Sequence, residues 1–274
     1  ENIHTDVCDT GLLLVGGSSP YAADAHHAGS VFSACRFAGY GAVPGVYGQV
    51  DTAYGVRFAQ PASGSAAVGD VHFRNCETVF TRTGFKIEGP RDPGYYNYNV
   101  DLSSCGFDFN GDYALDVTDM RAVRVTAGYV FQRGFRLTRC AQPMVEGVHF
   151  SGTDDHAVGV EAIDCTHLRV VGCAFDHIQY GVTLRATSFS SVTGCCFDRN
   201  RQFAVLVDAA HGTSKYNVVG NCTIRKDPAV SAPTWFAIRE VGYLTANFNR
   251  FADNMTDGGA ESIVLQSPGS SKTP

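Results

Sequence analysis

Along most of the chain, short runs of alternating apolar and polar residues recur, nearly all opened by a small residue. They read GVRF (55–58), GFKI (84–87), ALDV (114–117), GFRL (134–137), AVGV (157–160), GVTL (181–184), AVLV (204–207), AIRE (237–240) and SIVL (262–265). Their starts lie 20 to 33 residues apart, the extremes being 114 to 134 and 204 to 237. Second and fourth positions are apolar, as in Val56/Phe58, Phe85/Ile87, Leu115/Val117 and Phe135/Leu137. Third positions are mixed: Arg57, Lys86, Asp116, Arg136. A period of two buries one face of a strand and exposes the other. Glu240, at a fourth position, breaks the pattern.

A second strand precedes most of these runs, marked by Phe37, Phe80, Phe107, Phe131, Phe150, Phe175, Phe197, Ile224 and Phe251. A third follows some of them, as in AVRV (122–125), HLRVVG (167–172) and YNVVG (216–220). The clearest internal repeat pairs GCAFDHIQYGVTL (172–184) with GCCFDRNRQFAVLV (194–207). Three short strands per repeat, without a 3.6-residue period or a leucine–asparagine ladder, make one turn of a solenoid. The pattern therefore predicts an all-β chain, a right-handed single-stranded parallel β-helix of about nine coils. It is expected over residues 30–265, after an N-terminal segment 1–29 and before a flexible tail 266–274. A solenoid of 274 residues escapes the usual limit on domain size because each coil touches only its neighbours.

Ten cysteines in a small secreted chain would suggest disulfides. Here Cys35, Cys105, Cys173, Cys195 and Cys222 each fall two residues before the marker residue of the second strand, hence on its inward face. They read as a stacked ladder of reduced thiols acting as small hydrophobes. No CxxC occurs, and no metal site or cofactor is expected. The net charge of -6, without a basic run, argues against nucleic acid as a partner. No segment reaches the roughly 18 apolar residues of a membrane span, so membrane insertion is not expected. The chain opens on Glu1 without a signal region: either a leader has been removed or this is a piece of a longer protein.

Stacking brings residues of successive coils about 4.8 Å apart and so creates candidate chemistry. Asp176 and Asp198 share one column, with Asp154 and Asp155 near the same corner a coil earlier. Carboxylates about 5 Å apart suit a retaining glycosidase, and about 6.5–9.5 Å an inverting one. The other reading of these aspartates is turn chemistry. The outward stripe Arg57, Lys86, Asp116, Arg136 could hold an anionic sugar, or could be a solvated sheet face. Asp101, Arg124 and Glu146 are outward candidates on other strands. Lateral insertions carry Tyr95, Tyr96 and Tyr98, the only Trp, Trp235, and the tyrosines between residues 40 and 54. Such loops build a sugar-stacking wall or pack on the solenoid. His26, His27 and His156 read as surface histidines.

On these features the chain resembles the pectate-lyase-like β-helix superfamily. Its irregular coil lengths and lateral insertions are most similar to viral tailspike depolymerases. The resemblance is architectural and covers roughly residues 30–265. Sharper motifs of the group are mostly missing: Gly152-Thr153-Asp154-Asp155 matches the aspartate pair of polygalacturonases, but no Gly-His-Gly or Arg-x-Lys follows it. The resemblance implies a polysaccharide partner, glycosidic hydrolysis at Asp155, Asp176 and Asp198 with Asp154, a homotrimer, and an extracellular or virion-associated location. Two alternatives stay open. One is a uronate lyase with an Arg or His base and Ca²⁺; the other is a non-catalytic structural or glycan-adhesion module. The outward apolar Leu206 and Val264 also point to an oligomer.

Overall fold

The computed structural model describes residues 4–6, 10–15, 30–39, 54–59, 70–89, 99–152, 157–210, 212–229, 235–242, 247–257 and 263–273. All the strand pairing between named strands is parallel, and each strand bonds to its equivalent one coil away. One sheet stacks ten strands, from Thr10–Val15 through Tyr54–Ala59, Thr83–Glu88, Tyr113–Thr118 and Phe135–Thr138 to Ile263–Val264. The second-strand and third-strand segments form a seventeen-stranded sheet that folds around the other sides of the core. Pairing reaches beyond residues 30–265 at both ends. His4–Asp6 pairs with Arg36–Ala38, Thr10–Val15 with Tyr54–Ala59, and Ser271–Lys272 with Arg250 and Phe251.

The alternation places the side chains as expected. Val56, Phe85, Leu115 and Phe135 stand in one buried column, while Arg57, Lys86, Asp116 and Arg136 stand in the outward column beside it. Phe150, Phe175 and Phe197 stack at 4.8 and 4.6 Å with nearly parallel rings. Gly159 and Gly181, at the openings of two runs, make room for such rings. A Cβ on Gly181 would lie 2.6 Å from the Phe197 ring and 2.4 Å from the Ala204 carbonyl. On Gly159 it would lie 2.5 Å from the Phe175 ring.

Three local expectations are corrected. The fifth run is not AVGV at 157–160, because Phe135 pairs with Val160 and Arg136 with Glu161. The strand has slipped by two residues, which preserves the inward face and so leaves no trace in the apolar pattern. Phe80 and Phe131 do not fill the second-strand column. Thr78 and Val130 do, and the two phenylalanines flank Phe109 at a half-buried corner. Glu240 is fully buried and stays in register opposite Val207. Its carboxyl oxygens accept bonds from Asn249 Nδ2 at 2.8 Å, Ser270 Oγ at 2.7 Å and the Ser267 N–H at 3.2 Å, so a buried polar group is satisfied locally.

The nine described cysteines form no disulfide, and all but Cys196 are buried. Each buried thiol of the 173–195–222 column donates to a carbonyl one coil back: Val145, Val170 and Val192 respectively. Bonding to Cys173 and Cys222 together with burial pushes the Cys195 thiol far above its ordinary range, so it stays protonated. At another inner corner, Ser190, Asn217 and Asn249 each accept a backbone N–H of the preceding coil.

Gly181→Val should lower stability by about 1–3 kcal/mol, the penalty of overpacking a filled core. Chemical denaturation of the purified variant measures it; an unchanged midpoint would show that the ring of Phe197 can move aside.

Candidate functional site

The outer face of the ten-stranded sheet carries a cleft of about 590 Å³. Its floor is the outward stripe. Parallel register sets Lys86, Asp116 and Arg136 on successive coils, and the alternation turns all three away from the core. Asp116 is the centre: only 5% of its side chain is exposed. Lys86 Nζ donates to its Oδ2 at 2.6 Å, Arg136 Nη2 to the same oxygen at 2.7 Å, and Arg136 Nε to Oδ1 at 3.1 Å. Burial pushes the carboxyl upward, but the bonds from Arg136 and Lys86 outweigh it and hold Asp116 below the usual carboxylate range. In return Asp116 raises the Arg136 guanidinium further, so both remain charged. This carboxylate is a fixed anion that positions two cations, and it is unsuited to donate a proton.

The walls are aromatic and basic. The Arg136 guanidinium lies 4.2 Å from the centre of the Tyr113 ring, and Arg57 lies 5.0 Å from that of Tyr54. Arg82, Arg133 and Asp112 complete the charged lining, giving four cationic side chains against two carboxylates. Burial, then the nearby Glu161 charge, raises the Tyr113 phenol above its usual value. Tyr113 donates to Glu161 Oε2 at 3.4 Å, and Arg185 pairs with Glu161 at 3.3 Å and with Asp208 at 3.5 Å. Beyond the charged cleft, Tyr180, Phe203 and Phe236 continue the same face with near-parallel rings 5.8 and 6.1 Å apart, and Arg239 covers the last two.

The expected aspartate column exists in part. Asp176 and Asp198 are in register on adjacent coils. Arg199 bridges them, with Nη2 3.1 Å from Asp176 Oδ1 and Nε 3.4 Å from Asp198 Oδ2. His177 Nδ1 stands 3.0 Å from Asp176. A guanidinium shared by two carboxylates compensates their charge. This column belongs to the seventeen-stranded sheet, apart from the cleft. Asp154, Asp155, His156, Tyr95, Tyr96, Tyr98, His26 and His27 lie outside the described residues. Among the described residues, no group of three His, Cys, Asp or Glu side chains is arranged to hold a metal ion.

A family model described as "Right handed beta helix region" matches residues 55–224. The chain belongs to this family. No curated protein matches it. Among solved structures it is similar to the DFA-IIIase of Arthrobacter chlorophenolicus A6 in complex with GF2, at 13% identity and a TM-score of 0.48, over 95% of this chain and 82% of that one. It is also similar to tailspike protein 3 of bacteriophage CBA120, at 12% identity and a TM-score of 0.44, over 100% of this chain and 52% of that one. The chain thus spans about half the length of that tailspike.

In this right-handed β-helix the cleft and its aromatic extension share one side of the solenoid, so a ligand lying along the axis meets both. Two placements differ from expectation. Trp235 is not a wall residue: it is 7% exposed and packs into the core, where its large apolar ring is best removed from water. Glu161 is a charged residue of this face that the sequence reading passed over, because the two-residue slip had put Gly159 in its place. Leu206 and Val264, outward by alternation, are only half-buried.

Asp116→Asn should destabilise the fold by about 1–3 kcal/mol at neutral pH, since the half-buried Lys86 and Arg136 lose their counter-charge and solvent in the cleft screens only part of the loss. A carboxylate whose folded pKa is depressed adds stability that is full above its ordinary pKa of about 3.9 and is lost as pH falls through the lower folded value. The gap between wild type and Asp116→Asn should therefore be constant from pH 7 down to about 5 and close in stronger acid. Denaturation curves across that range test this; a gap independent of pH would remove the charge explanation.

Proposed function

We propose that this β-helix is a glycan-acting protein that binds an acidic polysaccharide along the outer face of its ten-stranded sheet. The observation that carries the reading is the cleft itself: a surplus of guanidinium and ammonium groups, held in place by the buried Asp116 and walled by Tyr54 and Tyr113. Planar guanidinium groups match carboxylates in two-point contact, and aromatic faces accept the apolar side of a sugar ring. The aromatic row from Tyr180 to Phe236 extends the contact along the axis, as a polymer needs. The net charge of -6 supports selectivity, because the anionic polymer is repelled by the acidic surface at large and attracted where cations cluster. Polymers of this kind are met outside cells, which agrees with an extracellular or virion-associated location.

The finer reading is depolymerisation by glycosidic hydrolysis. It is supported by the in-register pair Asp176 and Asp198, one interstrand spacing apart, a separation of the retaining class. The pair stands on the seventeen-stranded sheet and not in the cleft, so in this reading a stretch of the polymer beyond the cleft passes over that sheet, where Arg199 swings from the pair and leaves one carboxylate to attack and the other, protonated, to act as the acid.

Incubation with bacterial capsules, lipopolysaccharides and uronans, followed by reducing ends and by the absorbance of unsaturated uronates, tests both levels. Reducing ends alone are expected. Asp176→Asn and Asp198→Asn should each lower their release at least a hundredfold with binding retained; full activity in both variants excludes the pair. Tyr54→Ala and Arg82→Ala should weaken binding of the acidic polymer roughly tenfold each, the loss expected for one charge-assisted or stacking contact. Binding unaffected by either would place the glycan elsewhere.

A further inference from the structure

The seventeen-stranded sheet carries a second cleft, of about 600 Å³, that the glycan reading above does not use. Its floor is another outward column: His72, Asp101, Arg124, Met144 and Arg169 stand in register on five successive coils. Arg124 and Arg169 are both exposed and flank Met144, about 9.6 Å apart by two interstrand spacings. Neither makes an ion pair or a side-chain hydrogen bond among the described residues. This sets them apart from Lys86 and Arg136, which are neutralised by Asp116. Asp101 has one oxygen 3.5 Å from His72 Nδ1, while its other oxygen, Oδ1, is buried and has no hydrogen-bond partner among the described residues. A buried acceptor in this state calls for a donor, and because the Asp101 side chain is 28% exposed, a small rotation of its carboxylate turns that oxygen into the cleft.

The rim of the same cleft continues as an aromatic row. His167 lines the cleft, and Phe189, Tyr216 and Phe248 follow it one coil at a time, with centroids 5.4, 5.2 and 5.7 Å apart and rings within 18° of parallel. Phe189, Tyr216 and Phe248 are each about half exposed, at 49%, 46% and 51%. All four occupy left-handed corner positions, with φ between 52° and 57°. Two earlier coils place Asp70 and Asn99 at that corner, residues that tolerate such a backbone and bond to each other. Phe80 and Phe109 also occupy left-handed positions but are better covered by their stack, whereas the rings of Phe189, Tyr216 and Phe248 stay half in water, which calls for a reason beyond packing.

We infer that this groove is a second binding site for an acidic oligosaccharide, independent of the cleft on the ten-stranded sheet. Arg124 and Arg169 take carboxylate or sulfate groups on the sugar, Asp101 Oδ1 accepts a sugar hydroxyl, and the row from His167 to Phe248 receives the apolar ring faces of the units beyond. One chain then holds acidic glycan on two sides of the solenoid.

Calorimetric titration of the whole chain with hexagalacturonate and with a chondroitin sulfate hexasaccharide tests this and separates carboxylate from sulfate as the recognised group. Wild type is expected to bind at least one of the two probes at two sites per chain. The double variant Arg124→Ala/Arg169→Ala should lose one site and keep the other with its affinity unchanged. It should fold normally, because neither side chain has a partner to lose among the described residues. Phe189→Ala/Tyr216→Ala should weaken the same site about tenfold for the hexasaccharide and little for a disaccharide. Unchanged stoichiometry and affinity in Arg124→Ala/Arg169→Ala overturn the inference. So does equal binding of a neutral dextran hexamer, or binding of neither acidic probe. If Tyr54→Ala/Arg82→Ala loses nothing while Arg124→Ala/Arg169→Ala loses all binding, the cleft on the ten-stranded sheet fails as a glycan site and this one stands.

Discussion

Every arrangement in this molecule follows from one constraint, the parallel hydrogen bonding of each strand to its counterpart one coil away. That bonding fixes the interstrand spacing near 4.8 Å and holds register along the strand pairs, apart from a one-residue shift between Phe197 and Asn200. Side chains from different coils therefore meet in columns, and several inner columns repeat one chemical theme. Phenylalanines stack on phenylalanines inside, thiols donate to carbonyls one coil back, and corner serines and asparagines accept the N–H groups that turning the chain leaves behind. Charges obey the same rule on the outside. Asp116 meets Lys86 and Arg136 because the three are consecutive members of a column, although 30 and 20 residues of sequence separate them.

This constraint explains why the fold was legible in the sequence and the site only partly so. Alternation of period two is written directly in the residues, and the small residue before a run marks where a ring or a carbonyl of a neighbouring strand comes too close for a larger side chain. What alternation leaves open is register between coils. A slip of two residues turns the same face inward, so the reading that put Gly159 beside Arg136 differed from the real partner, Glu161, without any visible penalty. Aromatic residues misled for a related reason. Phe80 and Phe131 have the character of core residues, yet corners also accept rings when these can stack, and Thr78 and Val130 took the inward places. The converse happened with Trp235, which lies beside a lateral loop in sequence and inside the core in space.

Candidate chemistry was legible where it depended on columns and illegible where it depended on partners. The stripe of Arg57, Lys86, Asp116 and Arg136 could be written down from third positions alone. That Asp116 would be almost buried, and held as an anion between two cations, needs the width of the cleft and the direction of each side chain. The bridge from Arg199 to Asp176 and Asp198 escaped notice because arginine at a corner carries no periodic signal. Asp101 and Arg124 were legible as outward residues, but the aromatic rim of their groove was hidden in the same way, because it sits at corner positions where neither strand nor helix periodicity applies.

The thiol and amide columns have one more implication, for how such a molecule can change length. A side chain in a column looks only to the coil before it and the coil after it. Removing or adding one complete turn between Cys173 and Cys195, or between Ser190 and Asn217, would rejoin like with like and leave every remaining contact of its kind intact. Removing half a turn would set rings against hydroxyls and cations against the core. Growth is therefore quantised, and any groove running along the solenoid lengthens by whole subsites, each carrying its own outward residue to be chosen anew.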